Sequence, residues 1–199
     1  MYTAKDYRNM AKAALGDRVF SSIWPMAAVS VLIFQLVSSL VGSIPVIGAI
    51  AIIVIAGAMN TGLMSIFLQL SRRHEQVNLG DMFNHFDGPS MGLGALEFLY
   101  IFLWTMLLFI PGIIKSYSYS MAYFIHLDRP ELTAGQCITE SRALMNGHKW
   151  RLFCLDFSFI GWAIVGSLCL GIGTLWVNAW MYTARAEFYN SLISNDAVL

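Results

Sequence analysis

The chain has 199 residues, 57% of them apolar and only 12% charged, with twelve Lys and Arg balancing twelve Asp and Glu. An ordinary soluble domain carries roughly 25% charge, so lipid is the expected solvent. The zero net charge, with no cluster of Lys and Arg, gives no electrostatic footprint for a nucleic-acid partner.

The opening segment "TAKDYRNMAKAALGDR" starts with Thr3 and carries Asp6 three residues on, the spacing of a capping box in which the carboxylate satisfies a free amide at the helix start. Ala4, Tyr7, Met10, Ala11, Ala14 and Leu15 recur at helical spacing among Lys5, Arg8 and Lys12. Residues 3–18 are therefore an amphipathic helix, lying either on the membrane surface or against the protein's own cytoplasmic face. A charged, periodic segment ahead of the first apolar run is unlike a secretory signal, so the first membrane helix is expected to remain in the mature protein.

From Val19 to Ser71 there is no Asp, Glu, Lys or Arg. As helix this stretch would run to about 80 Å, over twice the hydrocarbon thickness of about 30 Å, so it should cross and return. Six crossings are expected in all, at about residues 19–41, 46–70, 91–110, 113–128, 150–170 and 173–192. They form three hairpins, with short uncharged breaks at "GSIP" (42–45), "PG" (111–112) and "GIG" (171–173), where Pro and Gly interrupt helix. The fold class is all-α: a single integral membrane domain with a six-helix bundle over 19–192, surface helices on the cytoplasmic side and a tail over 193–199.

Two long charged connections separate the hairpins. In the first, Met82, Phe83 and Phe86 make a short apolar face near Asp81. In the second, Thr133 and Gln136 form another capping-box pair, Ala134, Cys137, Ile138, Ser141, Leu144 and Met145 share a face, and Gly147 stops the helix. Both read as interfacial helices, and His126, His148 and Trp150 as residues of the headgroup level. Eleven of the twelve Lys and Arg lie near the N-terminus, in these connections or in the last half of the final helix, which places both termini and the connections in the cytoplasm. Only Lys115 lies towards the outside.

Charge inside a spanning helix costs about 2.5–3.5 kcal/mol at the centre, so each case needs a partner or a cavity. Counted from the hairpin tips at the helical rise, Glu97, Asp156, Arg185 and Glu187 fall about 20–23 Å deep, with Asn60 near the same level and Thr61 beside it. A buried polar layer follows, with Arg185 bridging Glu97 or Asp156. The layer either fixes packing and register, or binds a cation, a proton or a headgroup. Lys115 lies about 6 Å below the Pro111–Gly112 tip, and either snorkels to the interface or joins Tyr117, Tyr119 and Tyr123 in an outward-facing cavity for an anionic group such as phosphate. Ser116, Ser118 and Ser120 make this helix polar enough to sit inside the bundle.

Catalytic motifs are not visible: there is no H-E-x-x-H, G-x-S-x-G or P-loop. His74, Glu75, Asp81 and His85 lack the helical pairing of a metal site. Cys137, Cys154 and Cys169 have neither C-x-x-C nor disulfide-framework spacing and read as packing residues. No cofactor is expected.

"LLFIPGIIKSYSYSMAYFI", "NGHKWRLFCLDFSFIGW", "GIGTLWVNAWMYTARAEFY" and "LGDMFNHF" together resemble the bacterial multi-pass membrane proteins grouped as domain of unknown function nine-seven-five, a family distantly similar to the membrane domain of some glycerophosphodiester phosphodiesterases. The stretch "LSRRHEQ" keeps Arg73 but lacks the glycine that follows it in the family's turn. The resemblance implies a bacterial inner-membrane protein and supplies no reaction. The expected role is a non-enzymatic accessory module binding lipid, a peptide or a partner membrane protein. The alternative is a small transporter or exporter of a solute, or a protein protecting against membrane-active compounds.

Overall fold

The computed structural model describes residues 2–15, 23–42, 47–73, 79–107, 109–168 and 172–196. These are helical almost throughout, without strands: α1 (Ala4–Leu15), α2 (Ile23–Gly42), α3 (Ile47–Arg73), a 3-10 turn (Leu79–Phe83), α4 (Gly88–Leu107), α5 (Phe109–Tyr119), α6 (Ala122–Asp128), α7 (Ala134–Leu144), α8 (Lys149–Leu168) and α9 (Ile172–Asp196). Among the described residues, α4 and α8 are long and apolar enough to cross a membrane. The chain forms two compact units, one of residues 1–33, 63–79 and 150–199 and the other of residues 34–62 and 80–149.

In the first unit α8 and α9 make an antiparallel hairpin. A Cβ on Gly166 would stand 2.9 Å from the Gly173 carbonyl carbon, so only glycine permits this approach of two backbones. Further along the seam the Phe159 and Trp180 rings meet edge to face at 5.2 Å, and Arg185 pairs with Asp156.

α1 packs on α9 and buries Tyr7, Ala11, Ala14 and Leu15. Its start is the expected capping box: the Thr3 amide donates to Asp6 Oδ2 at 2.7 Å, and the Asp6 amide donates to Thr3 Oγ1 at 3.4 Å. The Tyr7 hydroxyl bonds Ser191 at 2.7 Å, the Trp180 indole donates to the Arg8 carbonyl at 2.8 Å, and Arg8 donates to the Ser158 carbonyl at 3.1 Å. The apolar face that reads as a membrane-surface stripe is thus covered by α9 of the same chain. The second half of α3 joins α9 through stacked Phe67 and Tyr182 and through Asn190, which donates to Ser71 and accepts from Arg72.

In the second unit α4 pairs antiparallel with α5 and α6. Going down α4, Thr105 lies against Gly112, Trp104 against Lys115, Tyr100 against Tyr119, Glu97 against Tyr123 and Ser90 against His126. The expected Pro111–Gly112 tip is displaced: α4 ends at Leu107, α5 begins at Phe109, and both residues sit in the first turn of α5. Proline is tolerated there because its missing N–H would have had no intrahelical partner. α3 crosses α4 where a Cβ on Gly57 would lie 2.7 Å from the Ser90 carbonyl oxygen and 2.9 Å from Gly94 Cα.

The segment expected as one crossing over 113–128 is divided at Ser120–Met121. Ser141, fully buried on α7, supplies the reason: its hydroxyl donates to the Ser118 carbonyl at 2.9 Å and accepts from the Met121 amide at 3.2 Å. A side chain from another helix thereby satisfies the groups that the break exposes. The Thr133–Gln136 capping box of α7 is present, and Gly147 lies beyond the helix with a φ of 77°. The apolar face of α7 packs on α4, α5 and α6 rather than on an interface, and Arg129 pairs with Glu140 to hold α6 to α7.

Candidate functional site

The residues singled out by charge and depth fall into two sets. Asp156, Arg185 and Glu187 belong to the first unit, Asn60 and Glu97 to the second. Of the two carboxylates expected for Arg185, the structure pairs it with Asp156, by a two-pronged contact of Nε to Oδ1 at 3.0 Å and Nη2 to Oδ2 at 2.7 Å. That geometry matches the planar guanidinium to the planar carboxylate. Glu187 is buried on α9. The depth alignment moves with the hairpin tip, since Glu97 lies only about 15 Å along α4 from its end at Leu107 rather than about 21 Å below the expected tip.

The residues grouped around Lys115 also divide. Lys115 and Tyr119 line a cavity of about 220 Å³ together with Tyr100, Trp104, Thr139 and Arg142. Tyr123 instead lines a second cavity, of about 230 Å³, with Asn60 and Glu97, and lies within hydrogen-bonding reach of the Glu97 carboxylate. Tyr117 lines neither of these cavities; its carbonyl accepts from Ser120 at 2.9 Å.

In the first cavity the Lys115 ammonium stands 4.5 Å from the centroid of the Trp104 ring, a cation–π contact. Tyr100 and Tyr119 face each other with centroids 6.0 Å apart. Arg142 brings a second cation from α7, so two like charges border one space and each disfavours the other until an anion enters between them. One wall is α7, part of a connection that charge asymmetry assigns to the cytoplasm. The assignment of Lys115 to the outside rested on counting from Pro111–Gly112, a tip that the structure displaces into α5. Trp104 and Tyr100 were legible only as an i, i+4 aromatic pair on α4, and Arg142 only as a charge on the helix expected in the second connection.

His126, expected at the headgroup level, is buried on α6, with Nε2 3.3 Å from the Ser90 hydroxyl and Nδ1 without a hydrogen-bond partner among the described residues. Beside it Asp87 caps α4, accepting from the Ser90 amide at 2.9 Å. Burial pushes the Asp87 carboxyl up, but the hydrogen bonds from Ser90 outweigh it and hold the group below the ordinary carboxylate value. Among the described residues no group of His, Cys, Asp and Glu could hold a metal ion; His74 and Glu75 lie outside the described residues.

The family model described as "Protein of unknown function (DUF975)" matches residues 91–196 of the 199. The chain belongs to this family. The DUF975 match runs from α4 to α9, so it takes in the α4–α7 cavity, the Ser141 insertion and the Arg185–Asp156 pair. Asn60, on α3, lies ahead of it. No curated protein and no solved structure matches the chain.

Proposed function

We propose that this DUF975 protein is a six-helix, multi-pass protein of the bacterial inner membrane, with both termini cytoplasmic, that acts as a non-enzymatic binding module for the anionic headgroup of a membrane lipid. The observation that carries the reading is the Lys115–Arg142 cavity: two cations and three aromatic rings converge on one space beside an apolar helix. Arg142 can grip two phosphate oxygens at once while Lys115 acts as a point charge, and the rings match the hydrocarbon that adjoins a headgroup.

The apolar helices support a lipid setting. On α4, Phe102, Leu103, Met106 and Leu107 are exposed, and on α8, Phe157, Ile164, Val165 and Leu168, the last at 79%. Side chains of this kind turned outward over residues 102–107 of α4, and separately over residues 157–168 of α8, form patches that water would penalise and hydrocarbon would not. Phe83 and Phe86, exposed and stacked with centroids 6.2 Å apart beside the 3-10 turn, suit the headgroup boundary.

The test is native mass spectrometry of the protein reconstituted with phosphatidylglycerol and phosphatidylcholine in equal amounts. Wild type should retain phosphatidylglycerol preferentially, and Lys115→Gln combined with Arg142→Gln should reduce that retention about tenfold. Equal retention of the two lipids, or no effect of the double variant, refutes the headgroup site. Reporters fused to the two termini should report the same side; opposite sides refute the topology.

A further inference from the structure

The second cavity of the same unit has the opposite character. Glu97 projects from α4 into a space of about 230 Å³ whose walls are Ala56, Gly57, Gly94, Phe98 and Ile101, with Asn60 and Tyr123 as the other polar groups. We propose that this cavity is a binding site for a small organic ammonium ion, a protonated amine carrying a short hydrocarbon body.

Three features point there together. The first is an uncompensated acid: the hydrogen-bonding partner of Glu97 is the Tyr123 hydroxyl, and among the described residues no cationic side chain acts on it. A carboxylate between apolar walls requires a cation or a proton to remain there. The second is the acceptor set. Asn60 Nδ2 is already committed to the Ala56 carbonyl at 2.8 Å, which leaves its amide oxygen to receive an N–H. With Glu97 this gives two acceptors for an ammonium, and the aromatic residues Phe98 and Tyr123 border the same space.

The third is what the walls exclude. A hard divalent cation takes six or more oxygen ligands, and these walls are mainly carbon. They suit the alkyl part of an organic cation. The volume lies below the roughly 300–1,000 Å³ of sites for drug-sized ligands, so the guest is small. The site does not depend on the Lys115 cavity.

The test uses the full-length protein in detergent micelles at neutral pH, titrated calorimetrically with n-butylammonium and, separately, with the neutral butan-1-ol. The wild type should bind butylammonium saturably and butan-1-ol at least about tenfold more weakly. This comparison needs no variant. Glu97→Gln, isosteric and still able to bond Tyr123, should lose about tenfold or more in butylammonium affinity, with its fold checked by thermal unfolding, and Tyr123→Phe should weaken binding less. The proposal is overturned if butylammonium does not bind, as when Glu97 holds only a proton. It is equally overturned if butan-1-ol binds as tightly, or if a folded Glu97→Gln binds as well as the wild type.

Discussion

Replacing Ser141 by Ala tests how the return helix beside α4 is broken. The Ser141 hydroxyl is the acceptor for the Met121 amide and a donor to the Ser118 carbonyl, and Ser118, Met121 and Ser141 are all buried. Stranding a buried N–H costs about 1–3 kcal/mol, and the lost bond to Ser118 about 0.5–1.5 kcal/mol more. Alanine returns about 0.5 kcal/mol as the better helix former within α7. The net destabilisation should be about 1–4 kcal/mol. Reversible unfolding in mixed micelles measures the energy, and hydrogen exchange at the Met121 amide reads the local opening. Ser116→Ala is the control, because the Ser116 hydroxyl bonds within its own helix, to the Ile113 carbonyl at 2.8 Å, and should cost less than about 0.5 kcal/mol. A Ser141→Ala protein as stable as this control, with unchanged exchange at Met121, would refute the reasoning.

Two further outcomes are expected. Asp156→Arg and Arg185→Asp should each destabilise the protein by about 2–4 kcal/mol, and the double exchange should recover a substantial part; a double variant as unstable as the two losses added together means that the pair contributes nothing. The Asp87 carboxyl titrates lower in the folded than in the unfolded chain, so its contribution is fully present above the unfolded value and is lost as pH falls through the folded one. Thermal unfolding followed from about pH 5 to pH 2 should therefore show the wild type losing stability relative to Asp87→Asn, which keeps the cap but does not titrate. A relative gain on acidification would contradict this sign.

The local features were readable from sequence because their partners lie within one turn. Thr3 with Asp6 and Thr133 with Gln136 are three residues apart, and both boxes form. The buried faces of α1 and α7 follow from 3.6-residue periodicity, although periodicity alone cannot tell a protein neighbour from a bilayer. Pro111 was misread because proline both ends helices and starts them. The break at Ser120–Met121 depends on a hydroxyl some twenty residues further along the chain, and nothing in the local sequence reports it. The same holds for the sites: Glu97 was visible as a charge in an apolar run, whereas its pairing with Tyr123 depends on how α6 returns along α4. Arg142 joins Lys115 only because α7 folds back onto α4 and α5.

The seating of α1 on α9 has a consequence for biogenesis. Tyr7 and Arg8 find their partners at Trp180, Phe188 and Ser191, so α1 must wait for α9 to be synthesised. At about 5–20 residues per second the delay runs to roughly ten seconds or more. Throughout that interval the stripe of Tyr7, Ala11, Ala14 and Leu15 has no polypeptide to cover it. The nascent chain therefore needs a temporary shelter for this stripe, and on the proposed membrane reading the bilayer surface supplies it.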